Sequence, residues 1–103
     1  MPRGYSKNRK DLNHADIEKA FVKQGWLCYD MTQQTEIGCD LKVCKLPGPA
    51  WAWVEIKNGK GNLTSNEKNF QAECEAKNAP HYVARSVEDV PIICREILLR
   101  FAL

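Results

Sequence analysis

The sequence predicts a small α/β domain, in which a mixed β-sheet is flanked by helices in the order α-β-β-β-α-β-α. Apolar residues recur at helical spacing near both ends of the chain, and a capping signature begins a third helix in the middle. Between these helices lie four short runs rich in aromatic and branched residues, which favour strands. The length of 103 residues is that of one domain.

The first helix is predicted over residues 11–25. Asp11 or Asn13 can cap its start, and Gly25 is well placed to end it. Charged residues fill much of the face opposite the apolar stripe. The stripe consists of Ala15, Ile17, Ala20, Phe21 and Val22.

Three strands follow this helix. The first covers residues 26–29 and leads into a polar, turn-rich connection over 30–38. The second covers 39–46 and ends at a Pro-Gly-Pro turn. The third, over 51–57, has the strongest strand character. Alternation places on one of its faces Trp51, Trp53, Glu55 and Lys57.

The second half of the chain contains two helices and one strand. After a flexible loop at 58–62, a helix over 64–77 begins with a capping box formed by Thr64 and Glu67. A short strand covers 81–84. The intervening helix allows this strand to run parallel to the third one. The last helix covers 91–101, with Pro91 in its first turn. Its apolar stripe is Ile92, Ile93, Ile97, Leu98 and Phe101.

Composition excludes several classes of protein. No apolar run approaches the roughly 20 residues that span a bilayer, and the N-terminus lacks the apolar region of a secretory signal. The five cysteines are an odd number and contain no C-x-x-C pair, so they favour reduced side chains used as small apolar fillers. We therefore expect a soluble, cytoplasmic protein without a membrane segment.

Charge is unevenly distributed along the chain. Residues 1–10 contain four of the 15 Lys and Arg residues and no acid, whereas the domain over 11–103 is slightly acidic. This basic arm could contact the phosphates of a nucleic acid, or it could be a solvated terminus. Its basic residues are Arg3, Lys7, Arg9 and Lys10.

Three charged residues lie on or beside predicted core strands. Asp40 lies near the start of the second strand, and Glu55 and Lys57 share one face of the third. Carboxylates from two adjacent strands can bind one Mg²⁺ or Mn²⁺ ion, to which the carbonyl of Ile56 could add a ligand. A cation beside such a metal suits phosphodiester hydrolysis. Alternatively, Glu55 and Lys57 form an ordinary ion pair on an exposed strand.

The spacing D-x14-E-I-K on the second and third strands resembles the PD-(D/E)xK nuclease superfamily and its restriction-endonuclease-like core. More narrowly, the sequence is similar to the VRR-NUC group of phage, bacterial and eukaryotic repair nucleases. The similarity lies in the strand ending E-x-K, the Gly-rich loop after it and the L-T start of the next helix. It also includes the segment H-Y-V-A-R-S-V-E-D-V.

The resemblance implies roles for individual residues. Asp40 and Glu55 match the metal-binding acids and Lys57 matches the catalytic lysine. Glu18, on the first helix, matches an acid that often faces the site, or it is a solvated helix residue. The group has Gln at the position of Glu67, where a glutamate could approach the metal or close the capping box. Further candidate phosphate contacts are Lys60 and Lys68.

The function predicted on this basis is a metal-dependent DNA endonuclease of phage or cellular origin. The likeness to Holliday-junction-resolving members implies a homodimer on branched DNA, for which the apolar tail at 97–103 would suit an interface. That tail could equally complete the core of a monomer. Two alternatives remain: a nucleic-acid-binding module without catalysis on the same fold, and a small protein-interaction domain.

Overall fold

The computed structural model describes residues 13–45 and 48–102. The predicted basic arm, the candidate cap Asp11, the residues at 46 and 47 and the C-terminal Leu103 lie outside these ranges. The elements follow the predicted order. They are α1 (His14–Lys23), β1 (Trp26–Asp30), β2 (Leu41–Lys45), β3 (Trp51–Ile56), α2 (Ser65–Ala76), β4 (His81–Ala84) and α3 (Asp89–Phe101).

The four strands form one mixed sheet in the order β1-β2-β3-β4. The pairs β1–β2 and β2–β3 are antiparallel, and β3–β4 is parallel, as the intervening helix allowed. In the register of β2 and β3, Leu41 lies opposite Val54. The residues next to this pair, Asp40 and Glu55, are therefore brought together at one end of the two strands.

The core lies on one face of the sheet, under α1 and α3. Ile17 and Phe21 of α1 and Ile97 of α3 are fully buried there against the inward side chains of β2 and β3. Helix α2 contacts the other face, where the Phe70 ring meets Trp53 edge-on at a centroid distance of 5.4 Å. The sheet is thus enclosed between helices on both faces.

The first and last helices differ in detail from the prediction. Asn13 occupies the N-cap position of α1, but its side chain makes no capping hydrogen bond. Helix α3 begins at Asp89, two residues before Pro91, which still lies in its first turn. Val22 and Ile92 belong to the predicted apolar stripes but are 57% and 58% exposed. In each helix the buried face is therefore narrower than the apolar face that the sequence predicted.

The five cysteines are unpaired, and three of them are buried: Cys39, Cys74 and Cys94. Burial raises the pKa of the Cys94 thiol to about 11. A neutral thiol in an apolar setting is a small packing group, as the sequence predicted. Within residues 13–45 and 48–102, no helix is long and apolar enough to cross a membrane.

Gly38 places the segment before β2 directly on helix α2. A Cβ atom at this position would lie 2.8 Å from the backbone oxygen of Asn66 and 3.0 Å from Cβ of Phe70. We expect Gly38→Ala to lower the free energy of unfolding by about 1–3 kcal/mol, since the helix would have to move away. Urea unfolding measures this change. Gly48→Ala is the matched control, because nothing lies within 4 Å of its new methyl group; equal losses in both variants would contradict the packing argument.

Candidate active site

Asp40 is held against β3 by a hydrogen bond to the backbone. It lies immediately before β2, one residue inside the predicted strand boundary, and its Oδ2 accepts the N–H of Ile56 at 2.8 Å. The Asp40 carbonyl accepts the N–H of Met31 at 2.8 Å, which fixes the incoming chain. The carboxylate therefore has a defined place beside the end of β3.

Glu55 is the buried acid of the site. Its residue is 1% exposed, and its Oε1 is buried without a hydrogen-bond partner. Burial raises the pKa of this carboxyl to about 10, and the negative charge of Asp40 and contacts with the Glu67 side chain add to the rise. A carboxyl in this setting is protonated at neutral pH unless a cation joins it. The unpartnered oxygen is the group that such a cation would satisfy.

Lys57 follows β3 and extends its amine toward two acids. Its Nζ lies 2.9 Å from Oε1 of Glu67 and 3.9 Å from Oε2 of Glu55. The side chain is 15% exposed, so the amine is mostly withdrawn from solvent. Its backbone N–H donates to the Ala84 carbonyl at 3.0 Å, which continues the parallel pairing of β3 and β4.

Glu67 lies in the first turn of α2 and contacts both the helix start and Lys57. Of the two roles left open for it, the structure shows the capping box, and an approach to a metal stays a prediction. Glu67 closes the predicted capping box, because its Oε1 accepts the Thr64 N–H at 2.8 Å while Oγ1 of Thr64 accepts the Glu67 N–H at 3.2 Å. The same Oε1 meets Lys57. Burial acts to raise the pKa of this carboxyl, but the bonds from Thr64 and Lys57 outweigh burial and lower it. The sequence did not indicate the contact with Lys57.

Glu18 lies on α1 beside a different partner. Its Oε1 is 3.6 Å from Nε2 of the buried His14, one turn earlier on the helix, and its backbone carbonyl faces the Cys28 thiol at 3.8 Å. The contacts of its side chain are thus within α1. Ile56 contributes its backbone N–H to the site through Asp40, and its side chain lies in the core.

The candidate nucleic-acid contacts divide into two groups. Lys60 and Lys68 are exposed, one in the loop after β3 and the other in α2, next to Glu67. Both lie in segments that flank the acidic site, so a phosphate backbone could meet them there. Arg3, Lys7, Arg9 and Lys10 lie outside the described residues.

Two residues that the sequence did not single out as part of the site hold the chain around Lys57. Nδ2 of Asn13 donates to the carbonyls of Lys57 and Arg85 at 3.3 and 3.0 Å. Nη1 of Arg85 donates to the carbonyls of Gly59 and Gly61 at 2.9 and 2.6 Å. Apart from the possible cap at Asn13, no local pattern marks either residue, because these contacts join segments far apart in sequence.

The donor set suits a hard divalent cation. Among residues 13–45 and 48–102, no group of three or more His, Cys, Asp or Glu side chains is arranged to hold a metal. Mg²⁺ is commonly held by one or two carboxylates together with waters and phosphate oxygens, and Asp40 and Glu55 provide such a pair. The unpartnered Oε1 of Glu55 fits this assignment.

Comparison with known protein families, with curated proteins and with solved structures found no match. The site is therefore defined by its own geometry: two carboxylates and one amine at the adjacent ends of β2 and β3, with Glu67 closing the group from the start of α2.

Proposed function

We propose that this protein is a metal-dependent endonuclease that hydrolyses phosphodiester bonds in DNA, with Mg²⁺ or Mn²⁺ as its cofactor. The observation that carries the proposal is the buried carboxyl of Glu55, with an unpartnered oxygen, between Asp40 and the amine of Lys57. Such a carboxyl destabilises the fold unless a ligand uses it.

The residues of the site would divide the work. Asp40 and Glu55 would hold the cation, which when bound supplies positive charge to the scissile phosphate and acidifies a bound water. The amine of Lys57 would orient the attacking water and stabilise the charge that develops on the phosphate. Glu67 would hold that amine in place until substrate arrives.

Branched DNA and a homodimer are further parts of the proposal. Both come from the likeness to junction-resolving nucleases. The dimer is supported by two apolar side chains on the outside of α3, since Leu98 is 43% and Leu99 is 66% exposed. Recognition by this domain would come from DNA shape, from the basic arm and the loops, or from dimerisation.

The test is cleavage of end-labelled four-way junction, flap, duplex and single-stranded DNAs, with Mg²⁺, Mn²⁺ or EDTA. We expect cleavage that requires metal and is lost on Asp40→Ala, because the variant lacks one of the two carboxylates. Asp16→Ala, at an exposed position on α1, is the matched control and should cut like the wild type. Sedimentation of the wild type should give twice the 11.8 kDa of one chain.

Each other outcome has a definite meaning. DNA binding that salt weakens, without cutting, would replace the nuclease by a recognition module. If the protein neither binds nor cuts any of these DNAs, the result would favour a protein-interaction domain. Cleavage that persists in Asp40→Ala and in EDTA would contradict the metal-dependent mechanism.

A further inference from the structure

We propose that Asn13 and Arg85 are positioning residues that together fix the backbone on both sides of Lys57 and thereby set where its amine lies. The inference rests on the proposed function, in which Lys57 acts on the substrate. It assigns a role to two side chains whose hydrogen bonds go to the backbone around Lys57 and not to Asp40, Glu55 or Glu67.

Asn13 ties the end of β3 to the end of β4. Its Nδ2 donates to the Lys57 carbonyl at 3.3 Å and to the Arg85 carbonyl at 3.0 Å. The Lys57 N–H is already bonded to Ala84, so both backbone polar groups of Lys57 are engaged. The side chain of an asparagine at an N-cap normally accepts a hydrogen bond from its own helix. The Asn13 side chain makes no such bond and instead donates to residues at the ends of two strands.

Arg85 holds the loop that follows Lys57. Its Nη1 donates to the carbonyls of Gly59 and Gly61, and its backbone N–H donates to Oδ2 of Asp89. Residues 58–62 are exposed, so burial does little to hold this loop in place. The planar guanidinium directs the two N–H groups of one nitrogen to the two carbonyls at fixed geometry, whereas the donors of a lysine amine rotate freely on a flexible side chain.

The position of the Lys57 amine depends on this backbone. A lysine side chain has four flexible carbons, and its Nζ here is directed by Glu67 at one end and by the fixed main chain at the other. A shift of about 1 Å in a reacting group can slow a reaction by about a hundredfold. Movement of residues 57–61 would shift the Lys57 amine.

The experiment compares Arg85→Lys with Arg100→Lys in single-turnover and steady-state cleavage. Arg85→Lys keeps the positive charge and replaces the planar guanidinium, which fixes the geometry of both bonds to the loop, by a flexible amine. Arg100 makes a similar tether, to the carbonyl and side-chain oxygen of Asn78 at 2.8 and 2.9 Å, away from the site. We expect Arg85→Lys to lower kcat about tenfold to a hundredfold with unchanged KM. Arg100→Lys should leave both constants unchanged, and Asn13→Ala should resemble Arg85→Lys.

Two results would overturn the proposal. One is an unchanged kcat in Arg85→Lys. The other is a higher KM at unchanged kcat in Arg85→Ala, which would make Arg85 a DNA contact instead. If the wild type cuts none of the DNAs, the proposed function fails, and NMR of the protein then decides on positioning. A changed ¹⁵N shift of the Lys57 amine and faster amide exchange over 57–61 in Arg85→Lys, but not in Arg100→Lys, would support it. Unchanged spectra would refute it.

Discussion

Lys57→Met is expected to slow DNA cleavage by about a hundredfold to a thousandfold, the effect typical of removing one group that stabilises developing charge. Methionine keeps most of the apolar stem that lies between Glu55 and Glu67 and removes only the amine. Affinity for DNA should change little, because the exposed Lys60 and Lys68 and the basic arm would supply most of the attraction to phosphates. Single-turnover cleavage at saturating DNA measures the rate, and fluorescence anisotropy with Ca²⁺ in place of Mg²⁺ measures binding.

Lys77→Met is the matched control for this variant. Lys77 is the C-cap of α2 and is exposed at the opposite end of the helix from Glu67. The Lys77→Met substitution removes the same charge from the protein and leaves the surroundings of Asp40, Glu55 and Glu67 unchanged. Equal loss of cleavage in the two variants would show that net charge, and not the place of the amine, determines the rate, and would remove Lys57 from the mechanism.

Glu55→Gln is expected to abolish cleavage and, at the same time, to stabilise the fold. The amide has the shape of the carboxyl and supplies an N–H donor for Asp40 or Glu67, but it carries no charge for a metal to meet. The loss of cleavage should match that of Asp40→Ala. The gain in stability follows from the pKa of Glu55, which burial raises to about 10 from an ordinary value of 4.5.

The sign of the pH dependence is fixed by that rise. Below pH 4.5 the carboxyl is protonated in both the folded and the unfolded chain. Between pH 4.5 and about 10 the unfolded chain is ionised while the folded chain keeps its proton, so the free energy of unfolding falls as pH rises. The slope from this group is at most about 1.4 kcal/mol per pH unit. Glu55→Gln lacks this titrating group. Its free energy of unfolding should therefore rise relative to that of the wild type from pH 5 to pH 8.

Urea unfolding in EDTA at pH 5, 6, 7 and 8 measures this difference. Glu73→Gln, at an exposed position on α2, should follow the wild type at every pH. A constant difference between Glu55→Gln and the wild type across the range would mean that Glu55 titrates normally in the folded protein. Addition of Mg²⁺ should raise the stability of the wild type and leave that of Glu55→Gln unchanged.

The sequence predicted the elements of this fold because each element is set mainly by residues close together in the chain. The capping box of Thr64 and Glu67 spans four residues, and the strand pattern of β3 spans six. The sequence predicted that Asp40 and Glu55 lie on adjacent strands, and the antiparallel register that places them side by side is seen in the structure. Elements and their neighbours were therefore within reach of pattern reasoning.

The rest of the site depends on contacts between distant segments. Asn13 reaches partners 44 and 72 residues away, and Arg85 bonds a loop 24 to 26 residues before it. Neither distance leaves a periodic signal in the sequence. The exposure of Val22 and Ile92 also depends on contacts between distant segments. The apolar pattern of a helix predicts which face is buried but not how much of that face the sheet covers.

One carboxylate oxygen contacts both Lys57 and the first turn of α2. Binding of a substrate phosphate by Lys57 would therefore also affect this helix. Oε1 of Glu67 accepts from the Thr64 N–H and from the Lys57 amine at once. If the amine moved to a bound phosphate, that oxygen would lose its cation, and the start of α2 would bear an unbalanced negative charge. The positive end of the helix dipole would favour this charge. Binding at the proposed site would therefore change the local electrostatics of α2.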